Sequence, residues 1–140
     1  MRLQELIFAR WVLVVVSFER ALYEDPSRDL DALWWELVQR YQLLNKPDGR
    51  EKLPDWATKY HIALVPAYYQ NYLLGRMMSL QWEDWLRKHV GGIVGRRAAG
   101  EFFCERVFAV GNTMSWNDGL EHATGERLNP DYFVEKFAQS

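Results

Sequence analysis

Residues 3–23 contain no glycine or proline and include an unbroken apolar run at residues 11–16, which Phe18 extends. A run that long predicts a helix buried on most sides rather than a strand. Val14, Val15 and Val16 lower its intrinsic propensity, so packing must hold it, and it is expected to be the least securely anchored helix. Asp25-Pro26 reads as a cap followed by proline at the first helical position. The helix it opens is expected to reach about Leu44. Leu30, Leu33, Trp34, Leu37, Tyr41 and Leu44 recur at helical spacing and predict its buried stripe. Asn45-Lys46-Pro47-Asp48-Gly49 is a turn cluster, and a loop or short turn after Pro54 delivers Lys59 and His61.

Pro66 suits a first helical turn and predicts a third helix from there to about Val90, ended by Gly91-Gly92. Gly75 inside it costs about 1 kcal/mol relative to alanine, which suggests close approach of another element. Further helices are expected over about 97–110, stopped by Gly111-Asn112, and over 116–124, capped by Ser115 and closed by Gly125. Asn129-Pro130 starts a last helix to about Ala138. No stretch alternates convincingly, and no repeat or low-complexity linker divides the chain. The pattern predicts an all-α fold, a single helical domain of about five to six helices.

The 140 residues suffice for one domain with a real core. A net charge of −2 gives no basic footprint for nucleic acid. The run at residues 11–16 falls far short of the roughly 20 apolar residues of a membrane span, and no cleavage site comes after it. No membrane or nucleic-acid partner is therefore expected. The lone Cys104 rules out an internal disulfide and a multi-thiolate zinc site, and reads as a buried thiol in a reduced, cytoplasmic protein. Seven Trp, seven Tyr and seven Phe are many for this length, so some rings line a cleft or face a partner.

The stretch of densest chemistry is Lys59-Tyr60-His61 followed by Pro66, Tyr68, Tyr69 and Tyr72. Tyr69 and Tyr72 lie three apart, and Tyr68 sits one turn before Tyr72, so their phenols share a region of surface. A cation, an imidazole and hydroxyls converging on one volume can grip a carboxylate and polarise a carbonyl. The same spacing also suits structural tyrosines with satisfied hydroxyls. His61, His89 and His122 are too few and too scattered for an all-histidine metal site. Glu121, His122 and Glu126 read as a solvated helix end.

Leu33-Trp34-Trp35-Glu36-Leu37 with Tyr41-Gln42, then Lys59-Tyr60-His61-Ile62, Val65-Pro66, Tyr69 and Tyr72, and later Gln81-Trp82 and Leu86, succeed one another in a familiar order. In that order and spacing, over roughly residues 6–137, the chain resembles the C-terminal part of angiotensin-converting-enzyme-like zinc peptidases. It resembles the oligoendopeptidase F group more distantly. The resemblance implies that the chain is a piece of a larger helical shell around a deep cleft. It implies that Lys59 binds the C-terminal carboxylate of an oligopeptide substrate, helped by Tyr69, and that His61 and Tyr72 stabilise the oxyanion on zinc.

The chain departs from the family pattern in three places. The zinc-binding helix and third zinc ligand would lie upstream of Met1, so zinc belongs to the full-length parent and none to this segment, which alone should be inactive. The step from His61 to Tyr69 is one residue longer than in the family, which makes Tyr68 a rival for the role of Tyr69. Val38 and Asn71 stand where the family carries chloride-binding arginines. The expected partners are the upstream catalytic half and, for the isolated chain, a second copy docked through residues 11–16. The alternative reading is a stand-alone helical interaction module binding a peptide or partner helix through an aromatic face.

Overall fold

The computed structural model describes residues 2–50 and 52–138, and these are all-helical, with no strand among them. In chain order the helices are α1 (Arg2–Glu24), α2 (Leu30–Gln42), α3 (Tyr60–Leu64), α4 (Gln70–Val90), α5 (Arg97–Phe102), α6 (Trp116–Thr124) and α7 (Asp131–Phe137). A 3-10 turn, Asp55–Thr58, precedes α3, and α5 runs on as a π-helix over Phe103–Phe108. None of the described helices is long and apolar enough to cross a membrane. The chain falls into two compact units, one ending at Leu73 and one beginning at Leu74.

In the first unit α1 is firmly anchored, contrary to expectation. Val14, Val15, Phe18 and Ala21 bury against Leu33, Trp34, Leu37 and Val38 of α2, and Ile62 of α3 joins the same core. Trp34, 3% exposed, meets Trp11 and Phe18 edge to face at 5.7 and 5.3 Å. Burial of so many apolar groups outweighs the weak propensity of the valine run. Val12, Val14 and Val15 are thus spent inside the unit, and Leu13 is the residue of residues 11–16 left exposed.

The second helix starts later than Asp25-Pro26 predicts. Asp25 instead accepts from the N–H and hydroxyl of Ser27 in the preceding turn, and Asp29 is the cap, accepting from Ala32 N–H at 2.9 Å. Two competing cap residues four apart flank this turn, and the nearer one to the apolar stripe wins. Leu43, at φ +58°, ends α2, which leaves Leu44 exposed rather than on the buried face.

In the second unit, Leu86, Ala99, Phe102 and Ala123 form the core, with Trp85 stacked on Phe102 at 4.5 Å. Gly91 and Gly92 both take positive φ, and the Gly92 N–H reaches back six residues to Leu86 O at 3.1 Å, which closes the end of α4. Ser115 caps α6 and Gly125 closes it, as the sequence predicts. Gly75 does not mark a close approach: a Cβ there would meet nothing within 4 Å. Cys104 is exposed rather than buried: two positions on from buried Phe102, it lies across the helix from the face that Phe102 buries.

Candidate functional site

The candidate residues lie in the first unit, and the 3-10 turn positions the first of them. Asp55 opens that turn and is fastened by Arg50 and by Trp35 Nε1, which donates at 3.2 Å. Trp56 Nε1 donates to Asp31 of α2 at 2.9 Å. The turn is therefore pinned to α2 by two indoles. It hands the chain to Lys59, whose N–H donates to Trp56 O at 3.1 Å and which stands as the first residue before α3.

His61 lies inside α3, not in a loop. Buried Ile62, next along the chain, anchors that short helix and leaves the imidazole beside Tyr60, with ring centroids 3.9 Å apart. Pro66 does not open the following helix. Val65, at φ −133° and ψ 67°, has left the helical region that a residue before proline avoids, and Ala67 takes φ +54°, so the chain breaks helical geometry twice. α4 begins only at Gln70, and Tyr68 and Tyr69 precede it. The break folds Tyr69 and Tyr72 back over His61. Their rings meet it edge-on at 4.8 and 5.6 Å.

His61 Nε2 and the Tyr72 hydroxyl are 3.1 Å apart. With the proton on Nε2 the imidazole donates to the phenol oxygen, which leaves the Tyr72 O–H to donate outward. The Tyr69 hydroxyl accepts from Trp11 Nε1 at 2.9 Å, and Lys59 Nζ lies 5.4 Å from the Trp11 ring centroid, over its face. Trp11, Thr58, Lys59, His61 and Tyr69 bound a cleft of about 200 Å³. Tyr72 joins it through His61 rather than lining it. Tyr68 stays outside the cleft, its ring against that of Tyr72 at 5.5 Å.

Burial pushes the Tyr69 phenol up from its ordinary value, against the opposing donation from Trp11. Desolvation also raises Tyr72, helped by Tyr60 and Tyr68. Both stay neutral around pH 7 and keep a proton to donate. A cleft with one ammonium, one imidazole and the Tyr69 phenol, with Tyr72 hydrogen-bonded to that imidazole beside it, carries donors and a positive charge, the complement of a carboxylate or a polarised carbonyl.

Two participants escape sequence reasoning. Trp11 belongs to a run that reads only as core, yet its N–H and its ring face hold two of the four site residues. Glu19 is buried at 5% exposure, and its carboxylate accepts from the Ala67 N–H at 2.5 Å. A carboxylate one position after buried Phe18, on a buried stripe, was the available signal.

Among the described residues no three His, Cys, Asp or Glu side chains converge to hold a metal ion. No family profile, curated protein or solved structure matches the chain.

Proposed function

We propose that this chain is the substrate-binding, oxyanion-side part of a zinc-dependent peptidase acting on oligopeptides, with the zinc ligands carried on a segment outside this sequence. The observation that carries the reading is the His61–Tyr72 hydrogen bond at 3.1 Å beside the cleft that holds Lys59 and Tyr69. In this reading Lys59 holds the C-terminal carboxylate of the peptide, and the Tyr69 hydroxyl, already fixed by Trp11, adds a second polar contact. The Tyr72 O–H donates to the scissile carbonyl oxygen as it gains negative charge, and the His61 N–H on the phenol oxygen aims and strengthens that donation, where preorganised donors act most strongly. Tyr68 has no direct role. Among the described residues no three His, Cys, Asp or Glu converge on a metal position, and in this reading the chain is inactive alone.

Titration of the chain with Gly-Leu and with Gly-Leu amide tests the binding half. The free acid should bind at least about tenfold tighter than the amide, and Lys59→Ala should abolish the difference. Equal affinities would remove the carboxylate role. In the complete enzyme, His61→Ala should depress kcat far more than it raises KM, and an unchanged kcat would remove the oxyanion role.

A second reading, a helical module that docks a peptide or partner helix through an aromatic face, draws on the exposure of Phe108 and Trp116. Saturable peptide binding that survives loss of both Lys59 and His61 would favour it.

A further inference from the structure

A carboxylate taken out of water is costly unless donors satisfy it, and Glu19 is 5% exposed. What it holds is one backbone group. Its Oε1 accepts from the Ala67 N–H at 2.5 Å, across 48 positions of sequence, and the Tyr23 hydroxyl lies 3.5 Å away. Ala67 is at φ +54°, where any residue with a Cβ is disfavoured. Its carbonyl is held as well, accepting from Gln70 Nε2 at 2.5 Å. An alanine in a glycine conformation, clamped at both its N–H and its C=O, is over-determined by its surroundings, which is how a strained turn persists.

The position of that turn gives the clamp its consequence. Ala67 sits between α3, which carries His61, and α4, which carries Tyr72. If Ala67 relaxed to negative φ, the chain would leave α3 in another direction, and Tyr69 and Tyr72 would leave the imidazole. We propose that Glu19 is a positioning residue for this site, acting through Ala67 to set the approach of the two tyrosines to His61. The proposal rests on the peptide-binding reading for its functional consequence, but its geometric content stands apart from that reading.

The test uses four variants of the full chain: Glu19→Gln, which keeps an acceptor; Glu19→Met, which removes it and suits a buried position; Ala67→Gly, at ease with positive φ; and the double variant Glu19→Met/Ala67→Gly. The first readout is the nuclear Overhauser effect between the His61 and Tyr72 ring protons, and the second is the affinity for Gly-Leu. Glu19→Met should erase the ring contact and weaken Gly-Leu about tenfold. Glu19→Gln should retain both to within about threefold, and adding Ala67→Gly to Glu19→Met should restore both to within about twofold. A merely structural role for the buried charge predicts otherwise. Glu19→Gln would then behave like Glu19→Met, Ala67→Gly would rescue neither, and that result overturns the proposal. Should Glu19→Met fail to fold, Ala67→Val strains the same turn without touching α1, and a persistent His61–Tyr72 contact in it would equally overturn the proposal. Absence of Gly-Leu binding by the wild type would refute the peptide-binding reading, while the ring contact still decides the role of Glu19.

Discussion

His61 Nε2 and the Tyr72 hydroxyl meet at 3.1 Å although a break in helical geometry separates them. On one continuous helix, residues 61 and 72 would lie about three turns apart, near 16 Å along the axis, and could not touch. The contact exists because α3 stops at Leu64 and α4 starts at Gln70, with the non-helical Val65 and left-handed Ala67 turning the chain back between them. The site is a product of that interruption, not of helical periodicity.

Tyr72→Phe should therefore separate fold from chemistry. The His61–Tyr72 bond is exposed, so its loss exchanges one partner for water. The urea midpoint should stay unchanged within error, while the ¹⁵N shifts of the His61 ring move as the balance of its two tautomers changes. A lowered midpoint with unmoved imidazole signals would assign the tyrosine to the fold instead.

Trp11→Phe keeps an aromatic ring against Trp34 but removes the N–H that fixes the Tyr69 hydroxyl and weakens the face under Lys59. The expected loss is about 1 kcal/mol of unfolding free energy, measured by urea denaturation. Gly-Leu affinity should fall with it, because both groups proposed to hold the carboxylate lose their support. Retained affinity would show that Lys59 and Tyr69 need no positioning by the indole.

The helical class and most boundaries were legible because periodicity and cap residues act locally: Ser115 and Gly125 bracket α6, and Gly91-Gly92 closes α4. What misled was local chemistry overruled from a distance. Pro66 fits a helix start by propensity, but Glu19, far away in sequence, holds the next residue at positive φ. Asp25-Pro26 carries cap chemistry that Asp29 takes over one turn later. The grouping of Lys59, His61, Tyr69 and Tyr72 was read from their clustering in sequence. Their supports, Trp11 and Glu19, lie 48 or more residues from the partners they hold and left no periodic trace.

Gln81 is 1% exposed and joins the end of α6 to the start of α7. Its Nε2 donates to Thr124 Oγ1 and to the carbonyls of Glu126 and Arg127, and its Oε1 accepts from the Asn129 N–H at 3.1 Å. Gln81→Leu keeps the volume but orphans those groups. A loss of about 3 kcal/mol is expected in urea denaturation of the chain. Gln81→Glu should restore only the Asn129 contact and recover part of it. A neutral Gln81→Leu would mean that the loop finds other partners.

Asp55 links acid stability to delivery of Lys59. Arg50 donates to its carboxylate and holds it below the usual range, burial opposes this, and the Arg50 charge, the Trp35 N–H and the Lys59 charge add to the lowering. A folded-state value below the unfolded one of about 3.9 gives stability that is present above that pH. It is lost as pH falls through the folded value. The urea midpoint of the wild type should therefore drop steeply below about pH 4, whereas Asp55→Asn starts lower at pH 7 and shows a shallower drop, so the two curves converge in acid. Parallel curves would mean that the carboxylate is equally at home unfolded. At pH 7 the same variant should also weaken Gly-Leu binding, because the Asp55 carboxylate, held by Arg50 and Trp35 Nε1, fastens the turn that carries Lys59. A variant with lowered stability and unchanged Gly-Leu affinity would show that Lys59 is positioned from α3 alone.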